Sequence, residues 1–105
     1  MKEGKKIEGY WYNEYSATEY PMPVPNVLTE QEAQEIYDLI KRKEVTARKV
    51  GYKGFTTSRI TGEYMGSTEF HTDEWLWPVD FAPHYVLEHK VKPTEEFLKY
   101  IGWLK

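Results

Sequence analysis

Apolar and polar positions alternate along this chain with two different periods, and the change between them divides it into elements. From Ile7 to Tyr20 (IEGYWYNEYSATEY) the residues are aromatic and β-prone, with Tyr10 and Tyr12 set against Trp11 and Asn13, which predicts a strand. Residues 1–6, charged and glycine-containing, are expected to fray. Pro21-Met22-Pro23-Val24-Pro25 cannot be helix or central strand and should run extended over the surface or a sheet edge. The period then becomes helical. Ala33, Ile36, Tyr37 and Ile40 form one stripe, Thr29 and Glu32 have capping-box spacing, and acids at the start with Lys41, Arg42 and Lys43 at the end suit the helix dipole. This places a helix at about 30–43.

Beyond it, Thr46 to Arg59 is basic and β-prone but carries Gly51 and Gly54, which suggests a loop before a strand near 55–60. A turn at Thr61-Gly62 follows. Ser67 to Thr72 and Glu74 to Trp77 read as a hairpin about an Asp73-centred turn, with Pro78 ending the second strand. Asp80 is the expected N-cap of a helix from Phe81 to about His89. A last helix starts near Pro93-Thr94 and ends before Gly102, with Phe97, Leu98 and Ile101 on its apolar face and Trp103 and Leu104 docking the end of the chain. Strands and helices do not alternate as in a parallel sheet. The expected fold is α+β: a small antiparallel sheet or hairpin packed with three short helices.

Composition narrows the function classes. At 105 residues with 40% hydrophobic residues and a net charge of −3, the chain fits one domain (1–105) with a core of its own. With no cysteine, disulfides, thiolate zinc sites and cysteine nucleophiles are excluded. No apolar run approaches a membrane span, and MKEGKKIEGYWY lacks the apolar stretch of a signal peptide, so a cytoplasmic protein without membrane contact is expected. Nine tyrosines, four tryptophans and four phenylalanines nearly equal the Ile, Leu and Val total. They either fill a small core or present an aromatic recognition surface, in which Trp75 and Trp77 of EFHTDEWLWP would be anchors.

The chemistry-bearing residues gather in the second half. A strand ends in SRITG, a hairpin follows, and a helix carries HYVLEH, an order in which small zinc modules draw two ligands from a knuckle and two from a helix. Cysteines at positions 58 and 61 would complete C-x2-C with His84 and His89. This stretch resembles a family of small bacterial proteins with a CRxCG…WP…HYxxxH pattern. The likeness runs through Gly54, Arg59, Gly62, Gly66-Ser67, Glu69, Thr72-Asp73, Trp75, Trp77-Pro78, His84-Tyr85, His89, Val91, Pro93 and Glu96-Phe97, and includes the PMPVP segment. It implies a zinc-knuckle-like C-terminal half and imports no activity. Ser58 and Thr61 stand where the pattern has its cysteines. Neutral hydroxyls are poor zinc ligands, so a degenerate module is expected, with no metal or other cofactor and with Ser58 or Thr61 hydrogen-bonded to an imidazole.

His71, Asp73 and Glu74 admit an acid–base reading, although Asp73 is more simply the turn-former. No nucleophile elbow, phosphate loop or HExxH is present. Basic residues concentrate at 41–59 (Lys41, Arg42, Lys43, Arg48, Lys49, Lys53, Arg59) and acids at 63–88, segments expected to lie side by side. The leading expectation is a non-catalytic, protein-binding regulator or inhibitor using Ser58, Arg59, Thr61, His71, Asp73, Trp75, Trp77, His84 and His89. One alternative is a nucleic-acid-binding domain using 41–59, with Tyr52 and Phe55 for stacking. Another is a small metal-dependent enzyme using His71, His84, His89 and Asp73.

Overall fold

A computed structural model describes residues 6–9, 22–58 and 60–104, with backbone only at 52–57 and 64–67. Strand β1 (Lys6–Ile7) is followed by helix α1 (Glu30–Thr46), strands β2 (Arg48–Thr57), β3 (Tyr64–His71) and β4 (Trp75–Pro78), a π-helix (Phe81–Glu88) and helix α2 (Glu95–Tyr100). The strands form one sheet in the order β1-β4-β3-β2. The fold is α+β with three helices, as the sequence pattern predicts. The sheet itself is mixed: β2–β3 and β3–β4 are antiparallel, but β1 pairs β4 in parallel. Parallel pairing cannot be read from an isolated β-prone run, because the partner lies far along the chain. The rest of the expected first strand, together with Pro21 and Arg59, lies outside the described residues.

Helix α1 forms where its capping box sets it. Thr29 Oγ1 accepts from the Glu32 amide at 3.1 Å and Glu32 Oε1 accepts from the Thr29 amide at 2.9 Å. The helix runs one turn past residue 43, because Glu44 continues the buried stripe of Ala33, Ile36 and Ile40. Its carboxylate accepts from Trp77 Nε1 at 2.9 Å and pairs with Lys41 at 2.6 Å. An acid thus sits at an apolar-face position, matched to an indole N–H that would otherwise lack a partner. Strand β2 begins before Gly51, contrary to the expected loop. A register shift between Gly51 and Thr56 absorbs the glycines without ending the strand. β2, with Arg48 and Lys49, lies against β3, which carries Glu69, so part of the basic run adjoins part of the acidic run. Lys43 stacks on Tyr100 at 4.6 Å and Lys49 on Phe70 at 5.7 Å.

The core lies between the sheet, α1 and the two later helices, with Phe97 at its centre. Its ring meets Trp75, Trp77 and Phe81 edge-on, with centroids 5.1, 5.4 and 5.5 Å away. Trp103 and Leu104 pack against this core, their amides donating to the Leu98 carbonyl at 3.0 and 3.2 Å. Gly9, at φ +83°, passes against the Phe81 ring. The buried Glu8 carboxylate accepts from the Thr94 amide and hydroxyl, both at 2.8 Å, so residues 6–9 are tied to the N-cap of α2. Burial raises the pKa of Glu8 and the Thr94 donors partly offset this.

Asp80 does not cap the following helix. Its backbone is already helical, no cap bond forms, and Oδ1 is buried with no partner among the described residues. Burial lifts its carboxyl from 3.8 to about 6. A carboxyl that holds its proton more tightly when folded supports stability at low pH and loses that support as pH rises through about 6. Asp80→Asn is therefore expected to stabilise the protein by roughly 2–3 kcal/mol at pH 8 and to change little at pH 3. Urea unfolding at the two pH values checks this; equal effects at both would contradict it.

Candidate functional site

Beyond β2 the chain turns sharply. The Ser58 amide donates to the Glu63 carbonyl and the Gly62 amide to the Ser58 carbonyl, both at 2.9 Å, and Gly62 takes φ +78°. Such a backbone favours glycine. The turn aims Ser58 Oγ inward, where it accepts from the amides of Ile60 and Thr61, each at 3.0 Å. With both lone pairs engaged, the hydroxyl donates its proton to His84 Nε2 at 2.8 Å. Hydrogen-bond bookkeeping thus assigns His84 as neutral with its proton on Nδ1, 3.5 Å from Glu88 Oε1. Ser58 is 3% exposed and His84 7%.

The π-helix brings His89 to the same place. The His89 amide donates to the His84 carbonyl five residues back at 3.1 Å, and the two imidazoles meet edge-to-face with centroids 4.6 Å apart. His89 Nε2 is shielded from solvent, lacks a hydrogen-bond partner among the described residues and lies 3.7 Å from Glu88 Oε2.

The order hydroxyl, imidazole, carboxylate is that of an activated serine. The surroundings argue for another role. The hydroxyl is buried, and the two amides that an oxyanion hole would need are spent on Ser58 Oγ itself. The Nδ1–carboxylate separation of 3.5 Å also exceeds an ordinary charge-assisted bond. This is a lock between the β2 tip and the π-helix. Ser58→Ala should strand the His84 nitrogen and two amides and destabilise by about 1–2 kcal/mol. A melting curve unchanged from wild type would count against the lock.

The other sequence candidates divide. Thr61 does not enter the pocket: it is exposed and its hydroxyl accepts from the Glu63 amide at 3.3 Å, so only its backbone serves Ser58. The ligand set 58, 61, 84 and 89 is therefore not assembled, and Ser58 offers a neutral oxygen already saturated with hydrogen bonds. His71 pairs with Arg48 at the opposite end of the β2–β3 ladder from the Ser58 turn, so it belongs to a different place. There its Nε2 donates to the buried Glu69 carboxylate at 2.6 Å, beside a cleft of about 520 Å3 lined by Lys43, Arg48, Asp73, Glu74 and Tyr100 among others. Asp73 is exposed at the hairpin tip, and Thr72 closes that turn by accepting from the Trp75 amide at 3.0 Å. Trp75 and Trp77, expected as surface anchors, are 3% and 0% exposed and belong to the core.

Sequence reasoning missed Glu88, although its spacing of four from His84 carried a signal. Glu69 gave none, since alternation along a strand does not mark which acid faces inward. No helix among the described residues is long and apolar enough to cross a membrane. No family model matches this chain, and neither a curated protein nor a solved structure matches it.

Proposed function

We propose that this protein is a cytoplasmic, non-catalytic binding module whose partner is another protein, acting as a regulator or inhibitor. The observation that carries the reading is an apolar row on the proline segment: Met22, Val24 and Val27 are 54%, 60% and 50% exposed. They border a groove of about 230 Å3 floored by Val91, Glu8 and Thr94. The segment is held in place rather than loose, because the amides of Asn26, Val27 and Leu28 donate to the carbonyls of His89 and Lys90 at 2.8–3.0 Å. Three exposed apolar side chains on a preset backbone suit association with little ordering entropy. The recognition surface so proposed is aliphatic, replacing the aromatic face expected from composition. The Ser58–His84 lock would then be the degenerate form of a zinc-knuckle-like scaffold, steadying the π-helix from which the groove is hung.

A photo-crosslinking amino acid placed in turn at 22, 24 and 27 in producing cells should give one discrete protein adduct. The same probe at Val45, 83% exposed on α1, should give none. Adducts of equal yield from position 45 would defeat the reading. Nucleic acid as the main adduct would favour the alternative centred on 41–59, which a salt titration of affinity would then check.

A further inference from the structure

We propose that His84, Glu88 and His89 form a binding site for a divalent transition-metal ion of the zinc class. The inference stands apart from the protein-binding reading and rests on how the π-helix is wound. In an α-helix, positions five apart point about 140° away from each other. The wider turn closed between His84 and His89 by an i to i+5 bond brings 84, 88 and 89 to one side. Their donor atoms all lie within 4.8 Å of one another, with His84 Nδ1 3.5 Å and His89 Nε2 3.7 Å from the Glu88 oxygens. Donors about 2.0–2.2 Å from a tetrahedral ion are about 3.3–3.6 Å apart. Binding would contract the cluster by up to about 1.5 Å, with the exposed Glu88 side chain adjusting its own oxygens and the two imidazoles turning towards each other.

Two further observations point the same way. His89 Nε2 is a nitrogen shielded from water with no hydrogen-bond partner among the described residues, and an ion would complete it. On His84, the nitrogen remote from the cluster is held by Ser58, the kind of outer contact that fixes the ring of a metal-bound histidine. When an ion takes Nδ1, the single imidazole proton moves to Nε2, and Ser58 Oγ must release one of its two amide bonds and turn its own proton away to accept it, so the neutral ring is retained with the loss of one contact of the lock. Two imidazoles and one carboxylate suit zinc, cobalt, nickel or copper and not the all-oxygen preferences of calcium or magnesium. Three protein ligands would leave a fourth tetrahedral position for water or another ligand. The sequence pattern places ligands at 58 and 61, where this chain has hydroxyls, and so leads to the expectation of no metal; this set replaces both with Glu88 and uses the His84 nitrogen that does not face Ser58.

The test is a titration of the full chain, made without a histidine tag, with Co2+ followed by its visible d–d bands, then displacement by Zn2+. Wild type should bind one ion per chain. Glu88→Gln, at an exposed position that should not disturb folding, should weaken binding at least about tenfold, and His89→Gln should do so too. Glu30→Gln, at the exposed start of α1, should leave it unchanged. Absence of Co2+ bands in wild type overturns the proposal. So does binding by Glu88→Gln as tight as wild type, whatever the outcome at His89.

Discussion

Phe97→Ala is expected to lower the unfolding free energy by about 3–5 kcal/mol, measured by urea denaturation with the tryptophans as probes. The Phe97 ring is fully buried and touches Trp75, Trp77, Phe81 and Tyr100, so truncation removes the side chain on which both sheet and π-helix pack. Those neighbours come from three separate elements and cannot collapse together into the space left. A domain of this size has only about 5–15 kcal/mol to lose, so the variant should be close to unfolding at 37 °C. Phe97→Leu, which keeps most of the volume, should cost less than half as much. Equal losses for the two variants would mean that the edge-to-face ring contacts, rather than volume, dominate.

Gly9→Ala carries the second large effect, about 2–4 kcal/mol. Two penalties combine there: a methyl group at φ +83°, and a Cβ that would stand 2.8 Å from Phe81 ring carbons. The combination has a diagnostic. Phe81→Ala removes the Cγ and Cδ1 atoms at 2.8 Å, so in the Gly9→Ala background part of the collision is relieved while the backbone strain stays, and the double variant should lose less than the sum of the two single variants. Thermal melts of both single variants and the double variant give the coupling. Strict additivity would show that residues 6–9 do not pack where the structure places them.

Much of the architecture was legible from residue pattern, for reasons that also explain the failures. Helix α1 has its capping box, its stripe and its charge gradient on consecutive residues, so local rules alone decide it. The β3–β4 hairpin is legible for the same reason, though Thr72 rather than Asp73 closes it. What local rules cannot supply is partnership across the chain. The parallel pairing of β1 with β4 depends on residues nearly seventy positions apart. The burial of Trp75 and Trp77 depends on α2 lying over them, and an aromatic run reads the same whether it faces inward or out. The meeting of Ser58 with His84 was legible because the strand-turn and helix order implied it, whereas the place of Glu88 depended on the π winding. Spacings of 3.6 residues do not foresee that winding, and Pro83 gives no direct sign of it.

The attachment of Glu8 to Thr94 and of Lys6 to Glu96 has a consequence for biosynthesis. On the ribosome, at about 5–20 residues per second, the opening stretch waits several seconds before its counterparts emerge. Until then Phe81 and the outer edge of β4 stay uncovered, and the nascent polypeptide exposes an adhesive flank. Docking of residues 6–9 onto the N-terminal turn of α2 requires that turn to have emerged, and a translational pause shortly before α2 would prolong that vulnerable interval.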